Sequence, residues 1–580
     1  MSSSPETFEA DVLVVGAGGA ALRAAIEARQ AGAHVAVAVK GHLGRVGLRG
    51  AGATACGMDT DWRGYWPVDE SEGVLEGALE DILQLGLGVA DPRLARIVVE
   101  EAPSSLRALE RLGVPIARPP AAANGRTVAG AYKSTPRPYL CRLVPSLATV
   151  ARRCGCLILE QTMVTDLLMD EGKCVGALAL REETGEVVAI TAGAVIVGTG
   201  GAAHLFKRNV HPSCVTGDGY AMGYRAGAEL VNLEFVQIFL GIVSPTISNL
   251  AGWVWREDGR MYNAEGKEFL ENYLPQGVTA AEVRAQAGKH SPHTTRDSVS
   301  RYLNVAIMKE IMAGKGTAHG AVYLDLTSPS VRVPQVRESW LRRVGIDLKA
   351  GPVEVAPYAM CSNGGLRIDE HGQTTVTGVY AVGECSGGVY GADRHGGSMM
   401  ATSQVFGARA GRHAARSATA SKPRALPKEK VAVERRRIET LRSRSGAGKL
   451  GEARVELQRE AWNNLLAVRT DEGLTRVLAT VNELREERLP ELGVEGPSEL
   501  VEYLELENLL LVGEMLATVA RERTESRGGH HREDYPARDD GQWLRRIAVR
   551  SVEGRMELRR RVIDPEWRER PGDMLGEHWG

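Results

Sequence analysis

The run Gly16-Ala-Gly18-Gly19-Ala20-Ala21 has the residue types and spacing that bring a polypeptide backbone up against a phosphate. Gly16 permits a tight turn and Gly18 lets the main chain approach a pyrophosphate. Ala21 keeps the following helix close to its sheet, so that the helix N-terminus faces the anion. Gly19 and Ala20 belong to the same contact. A second glycine turn, Val195-Ile-Val-Gly-Thr-Gly-Gly201, offers Thr199 and Gly200. Thr216-Gly-Asp-Gly219 puts Asp218 at the opening of a helix, and Val379-Tyr-Ala-Val-Gly-Glu384 ends in an acid suited to a ribityl or ribose hydroxyl. Val39-Lys40 occupies the place where an acid commonly meets the adenosine ribose, so the first turn does not choose between nicotinamide and flavin dinucleotides. Segments spread from 16 to 384 do choose: they suit a long, folded-over FAD better than a nicotinamide held by one unit.

The elements that must position these turns are legible around them. Asp11-Val-Leu-Val-Val15 reads as a buried strand. Ala24, Ala25, Ala28 and Ala31 mark the packing face of a helix ended by Gly32, and His34-Val-Ala-Val-Ala-Val39 is the next strand. Further along, Trp462-Asn-Asn-Leu-Leu466 and Leu504–Val519 carry apolar residues at helical spacing, which makes 431–525 a helical unit. Lys428–Arg444 reads as a solvated helix face. Alternating residues around Val552-Glu-Gly-Arg555 predict a small hairpin in the tail.

A chain of 580 residues is too long for one core, and about two to four units are expected. Hydrophobic residues at 43% and charged residues at 25% are those of a soluble globular protein. A formal charge of −2 offers no basis for binding nucleic acid or an anionic membrane surface. No apolar run reaches the ~18 residues of a membrane span and no signal peptide opens the chain, so a cytoplasmic location is expected, with any membrane association made through partner subunits. The eight cysteines include no spaced set of four for zinc or an iron–sulfur cluster, and no metal is expected.

Taken together, these motifs resemble the flavoprotein subunits of fumarate reductase and succinate dehydrogenase, together with L-aspartate oxidase. The resemblance rests on the GAGGAA turn, Thr216-Gly-Asp-Gly219, Glu234-Phe-Val-Gln237, Arg296-Asp-Ser-Val-Ser-Arg301, Ala381-Val-Gly-Glu384, Gly391-Ala-Asp-Arg-His-Gly-Gly397 and the tail segment Ser526–Pro536 with Arg538-Asp-Asp540 and Trp543. It covers nearly the whole chain. It implies an α/β fold: a Rossmann-like FAD-binding domain in two parts (1–234 and 351–425), an inserted α+β capping domain (235–350), a helical domain (431–525) and a tail domain with its hairpin (526–580). Lys40, Gly50, Gly52, Arg394 and Ser398 join the glycine turns as expected cofactor contacts. The implied reaction is hydride transfer between flavin N5 and a substrate carbon. Arg296 would deliver the proton and Arg394 would clamp an anionic group, to which a planar five-donor guanidinium is well matched.

Several positions depart from the family. Relatives acting on succinate or fumarate follow the Glu-Phe-Val-Gln segment with Phe-His-Pro-Thr-Gly; here Phe239 replaces the histidine and Gly241 the threonine. The second histidine is replaced by Met360, followed by Cys361. Exchange of imidazole and hydroxyl donors for apolar groups predicts a small anionic organic substrate with a larger or more apolar remainder, not succinate. His395, beside Arg394, stands where leucine is usual and reads either as a new acid, base or donor or as a packed histidine. Trp253 and Trp255 read either as pocket lining or as cap core. Gly47 occupies the place of the histidine that joins flavin covalently, and His42 lies nearby but out of register, so non-covalent FAD is expected. Three roles stay open: a complex subunit passing electrons to an iron–sulfur partner, a stand-alone oxidase like L-aspartate oxidase, and a non-catalytic flavin electron-transfer subunit.

Overall fold

The computed structural model describes residues 6–44, 62–66, 72–117, 137–141, 143–250, 259–289, 298–331, 333, 335–395, 397–420, 425–446 and 449–563. Gly47, Gly50, Gly52, Trp253, Trp255 and Arg296 lie outside them. The β-branched run before the first glycine turn forms the end of strand β1 (Glu6–Val15), followed by helix α1 (Gly19–Gln30) and strand β2 (Val35–Ala38). β1 is the centre of a seven-stranded sheet. It pairs in parallel with β2 on one side and with Val187–Val197 on the other. Val379–Ala381 adds a further parallel strand against the end of Val187–Val197. Parallel strands share one carboxyl edge, so the segments ending at Val15, Ala38, Val197 and Ala381 all deliver their following turns to the same crevice. Helix α2 (Pro92–Arg111), capped by the Asp91 carboxylate, and helix α3 (Ser398–Thr419) complete the layer with α1.

α1 and α3 approach backbone to backbone. A Cβ on Gly411 would stand 2.3 Å from Ala24 O, and one on Gly407 would stand 2.8 Å from Ala20 O. Only glycine fits there, and the small face of α1 seen in the sequence is the surface it presents.

A second sheet, antiparallel and five-stranded, runs in the order 248–249, 236–244, 353–362, 322–325, 260–262. It has its own core, including Leu240, Ile242, Leu303, Ile307, Leu324 and Val355. Its strand Val353–Ser362 lies beyond the 350 boundary drawn from the sequence, because it pairs along its length with Val236–Ser244. The tail hairpin Arg545–Val552 and Arg555–Val562 closes at Val552↔Arg555, as the alternation predicts. It then docks on Leu230–Val231 in a third sheet. Between these units lies the helical domain, Lys428–Arg442, Leu450–Ala461, Asp471–Glu483 and Pro497–Glu522. Among the described residues no helix is long and apolar enough to cross a membrane.

The tail segment is fastened by buried charge. Arg523, fully buried, donates to Glu234 at 2.8 Å and Glu525 at 2.9 Å, and Arg527 donates to Glu525 at 2.7 Å. His530 accepts from Arg469 at Nδ1 (2.5 Å) and donates from Nε2 to Arg523 O (3.1 Å), which fixes it as a neutral ring. The tail therefore ties the helical domain to Glu234, at the entry to the second sheet.

Candidate active site

The crevice at the strand ends is lined by the first glycine turn, Val39, Lys40, Gly198, Thr199, Gly200, Asp218, Gly383, Glu384, Met400 and Ser403, among others. Gly16 adopts φ +101°, and a Cβ there would lie 2.5 Å from Gly198 O, so the two glycine turns interlock. Gly18 is different: nothing lies within 4 Å of a Cβ built on it. Its bare Cα opens into the crevice at the start of α1, where the first-turn amides have no helical acceptor. No acidic residue stands in that turn. Such a turn has the geometry and polarity that can cradle a diphosphate.

Lys40 and Asp218 both reach the crevice, but each holds the other. Lys40 Nζ lies 2.7 Å from Asp218, 2.8 Å from Glu505 and 3.0 Å from Thr216 Oγ1. Burial alone would lower the lysine's pKa; Asp218 and then Glu505 outweigh it and raise it, so the ammonium is permanent. Thr199 Oγ1 accepts from Gly219 N at 3.1 Å, locking the second glycine turn to the helix that begins at Asp218. Glu384 places Oε1 on Ser362 N at 3.0 Å and packs against the bare Cα of Gly201. Ser398 opens α3 and donates its hydroxyl to His395 O at 2.8 Å.

Ser362 leads one residue back to Cys361 and the second corner of the site. Arg394 is 4% exposed. Its Nη2 donates to Cys361 Sγ at 2.6 Å and its Nη1 to His395 O at 3.0 Å. Its Nε has no acceptor among the described residues, and no carboxylate within ion-pair distance is described for it. The guanidinium lies over the Tyr390 ring, 5.9 Å from its centroid. Burial pushes the Cys361 thiol up to about 11 despite the opposing pull of Arg394, so it is neutral. Gln237 orders the corner: its amide nitrogen donates to Asp393 (2.5 Å) and Arg394 O (3.0 Å), while its oxygen accepts from Cys361 (3.2 Å). His395 is buried at 6% exposure, and its carbonyl receives both Arg394 and Ser398.

The substituted positions are filled with aromatic surface. Phe239 and Tyr358 face each other across paired strands with ring centroids 5.5 Å apart. A Cβ on Gly241 would stand 2.8 Å from the Tyr358 ring and 3.0 Å from Phe239. The glycine is therefore the space the two rings occupy. Val210 completes this cluster and the half-buried Met360 packs on it.

The chain matches a model described as an FAD binding domain over residues 11–400 and one described as the fumarate reductase flavoprotein C-terminal region over 454–570. The chain belongs to the fumarate reductase/succinate dehydrogenase flavoprotein family. It is similar to a protein of Methanothermobacter marburgensis named as one subunit of fumarate reductase (CoM/CoB), 33% identical over 94% of this chain and 97% of the relative. It is also similar to an L-aspartate oxidase of Streptomyces coelicolor, 32% identical over 93% and 91% of the two chains. The structure of a quinol fumarate reductase from E. coli superposes with a TM-score of 0.80 at 27% identity, covering 96% and 97%. This family member binds FAD, and is an oxidoreductase acting on CH–CH groups. The glycine cradle at Gly18 fits that cofactor.

Sequence reasoning does not reach Gln237, Asp393 and Tyr390 as site residues. Gln237 and Asp393 lie inside motifs that carry the family resemblance, next to assigned positions, and that adjacency is the one signal pointing to them.

Proposed function

We propose that the chain is the flavoprotein subunit of an enzyme that oxidises or reduces a CH–CH bond in an anionic organic substrate other than succinate or fumarate. FAD, held non-covalently in the glycine cradle, supplies the hydride acceptor or donor at N5 when bound. The observation that carries this reading is Arg394. A buried guanidinium whose described hydrogen-bond partners are a thiol and a carbonyl, and whose Nε has none, has no carboxylate paired directly with it, and an incoming carboxylate or similar oxyanion would satisfy it. Arg394 binds and orients that anion; Cys361 and the His395 carbonyl hold its guanidinium, and Gln237 holds its backbone and the Cys361 thiol. The Phe239–Tyr358 stack offers carbon where relatives offer donors, which favours a substrate with an apolar remainder. Loss of a hydrogen bond to a charged group costs about 1.5–3 kcal/mol, enough to disfavour a small dianion. Arg296 is the proposed proton donor.

His42 is occupied with Glu160 at 3.0 Å on the surface, in keeping with non-covalent flavin. The names of the relatives divide between fumarate reductase, L-aspartate oxidase and succinate dehydrogenase at 28–33% identity, so the substrate reading rests on the side chains. An iron–sulfur protein as the partner that accepts or donates electrons is supported by the C-terminal match and by the methanogen relative's name, which makes it one part of a larger enzyme.

Anaerobic mixing of the FAD-loaded chain with a panel of carboxylates tests the proposal. Bleaching of the flavin by monoanions with an apolar remainder, lost in Arg394→Met, is the expected result. Rapid bleaching by succinate, or rapid reoxidation of the reduced flavin by fumarate, would overturn it. Purification from the native source with an iron–sulfur chromophore attached tests the partner.

A further inference from the structure

A second basic pocket lies away from the flavin crevice, on the outer side of the three helices α1, α2 and α3. It has a volume of about 420 Å³, and its lining includes Arg23, Glu27, Ser105, Arg111 and Arg412. Arg23 forms the floor. It is 2% exposed, and only its Nη2 is engaged, with Glu27 at 2.7 Å. Nε and Nη1 of Arg23 are buried and have no hydrogen-bond partner among the described residues, and neither does the hydroxyl of Ser105, itself 6% exposed.

Two guanidinium donors and a hydroxyl buried without acceptors are costly, since each has been taken from water with nothing in return. The local charge points the same way. Three guanidiniums line the pocket against two carboxylates, Glu27 and Glu101. Glu101 is already paired with Arg409, which is not part of the lining, and Glu27 is shared between Arg23 and Arg412, the latter at 3.0 Å. Burial lowers the Arg23 pKa; Glu27 opposes this, while Arg412 and Arg111 add repulsion. The cationic form is under-compensated as the pocket stands.

The stem of Arg23 is packed between the two helices. Its stem crosses the bare Cα of Gly407, where an added Cβ would lie 3.1 Å from Arg23 Cβ. The glycine contact that brings α1 and α3 together also seats the first carbons of the Arg23 side chain, and Glu27 holds its guanidinium from the other end.

We propose that this pocket is a binding site for a small oxyanion of the phosphate or carboxylate class, bound by Arg23 and Ser105 at its floor and by Arg111 and Arg412 at its mouth. The bound group would accept from the free Arg23 donors and from Ser105, and would neutralise the excess positive charge. An anion of more than one negative charge matches the guanidiniums best.

The test uses the full chain with FAD bound, so that the diphosphate cradle is filled. Inorganic phosphate and citrate are titrated separately by calorimetry. The expected result is saturable binding of at least one probe, weakened about tenfold or more in Arg23→Met and in Arg412→Ala, with the flavin spectrum unchanged. Which probe binds identifies the class as phosphate or carboxylate. Arg412→Ala guards against a folding defect at the buried position, because its side chain is 43% exposed. Failure of both probes to bind, or binding that both variants retain undiminished, overturns the proposal.

Discussion

Arg394 and Cys361 meet at 2.6 Å, guanidinium Nη2 to thiol sulfur, in the buried corner beside Glu384. A thiol is a weak acceptor, so this contact orients the guanidinium without neutralising it. The first prediction follows from that imbalance. Arg394→Met should reduce kcat/KM by about a hundredfold or more, since at least two charge-assisted hydrogen bonds to the substrate are lost. Cys361→Ala should leave kcat within about tenfold, because Gln237 still holds the Arg394 backbone. Steady-state kinetics on both variants decide; equal losses would show that the thiol itself takes part.

Cys361 should also resist alkylation. With its pKa pushed up to about 11 by burial, roughly one thiol in a thousand is ionised at about pH 8. Cys385, raised to about 12 by burial, should resist even more. Mass spectrometry after iodoacetamide treatment of the native chain should find both unmodified; rapid labelling of Cys361 would mean the corner is open.

Gly241→Ala should lower the stability by about 1–3 kcal/mol, because the new methyl enters the space of the Tyr358 and Phe239 rings. A drop in the urea midpoint with unchanged slope checks this. An unaltered midpoint would show that the rings move aside freely.

Lys40→Met should cost about 3 kcal/mol, since it leaves Asp218 buried without its cation, while Glu505 keeps Arg454 at 3.1 Å. The paired lysine has its pKa raised on folding, so its stabilisation is complete below the ordinary lysine range and fades only as pH rises past it. Between about pH 6 and 9 the loss in the variant should therefore be constant. Denaturant melts across that range measure it.

His531 gives the opposite sign. Burial, then repulsion from Arg301, Arg469 and Lys309, lowers its pKa to about 3, so the folded ring stays neutral where the unfolded ring would charge. Its contribution is present above the unfolded value near 6.5 and is lost as pH falls from there towards 3, at up to about 1.4 kcal/mol per pH unit. Stability of the whole chain should decline on acidification, and His531→Asn should flatten that slope if the variant folds. A slope identical to that of the parent chain would remove His531 as its source.

Much of the fold was legible because its signals are local. The β-branched run Asp11–Val15, the small residues of α1 and the alternation around the turn at Glu553-Gly554 each define an element from adjacent residues. The edge of the second sheet was not legible, because the membership of Val353–Ser362 is set by pairing with a strand more than a hundred residues earlier. The site divides in the same way. Gly16 and Gly18 announce a cradle through their own conformational freedom. Lys40 could not be read as self-neutralised, because Glu505 comes from a helix distant in sequence.

By itself the sequence pointed to FAD, through glycine turns spread from 16 to 384, and to the departures from the family pattern at Phe239, Gly241 and Met360, all of which depend on residue identity within recognisable motifs. The tertiary structure alone decided which charges are left over. Arg394 and Arg23 look like ordinary arginines in a row of letters. Whether a guanidinium is satisfied depends on what long-range packing brings within about 3 Å of its nitrogens. In both cases packing buried the group and left donors without acceptors among the described residues.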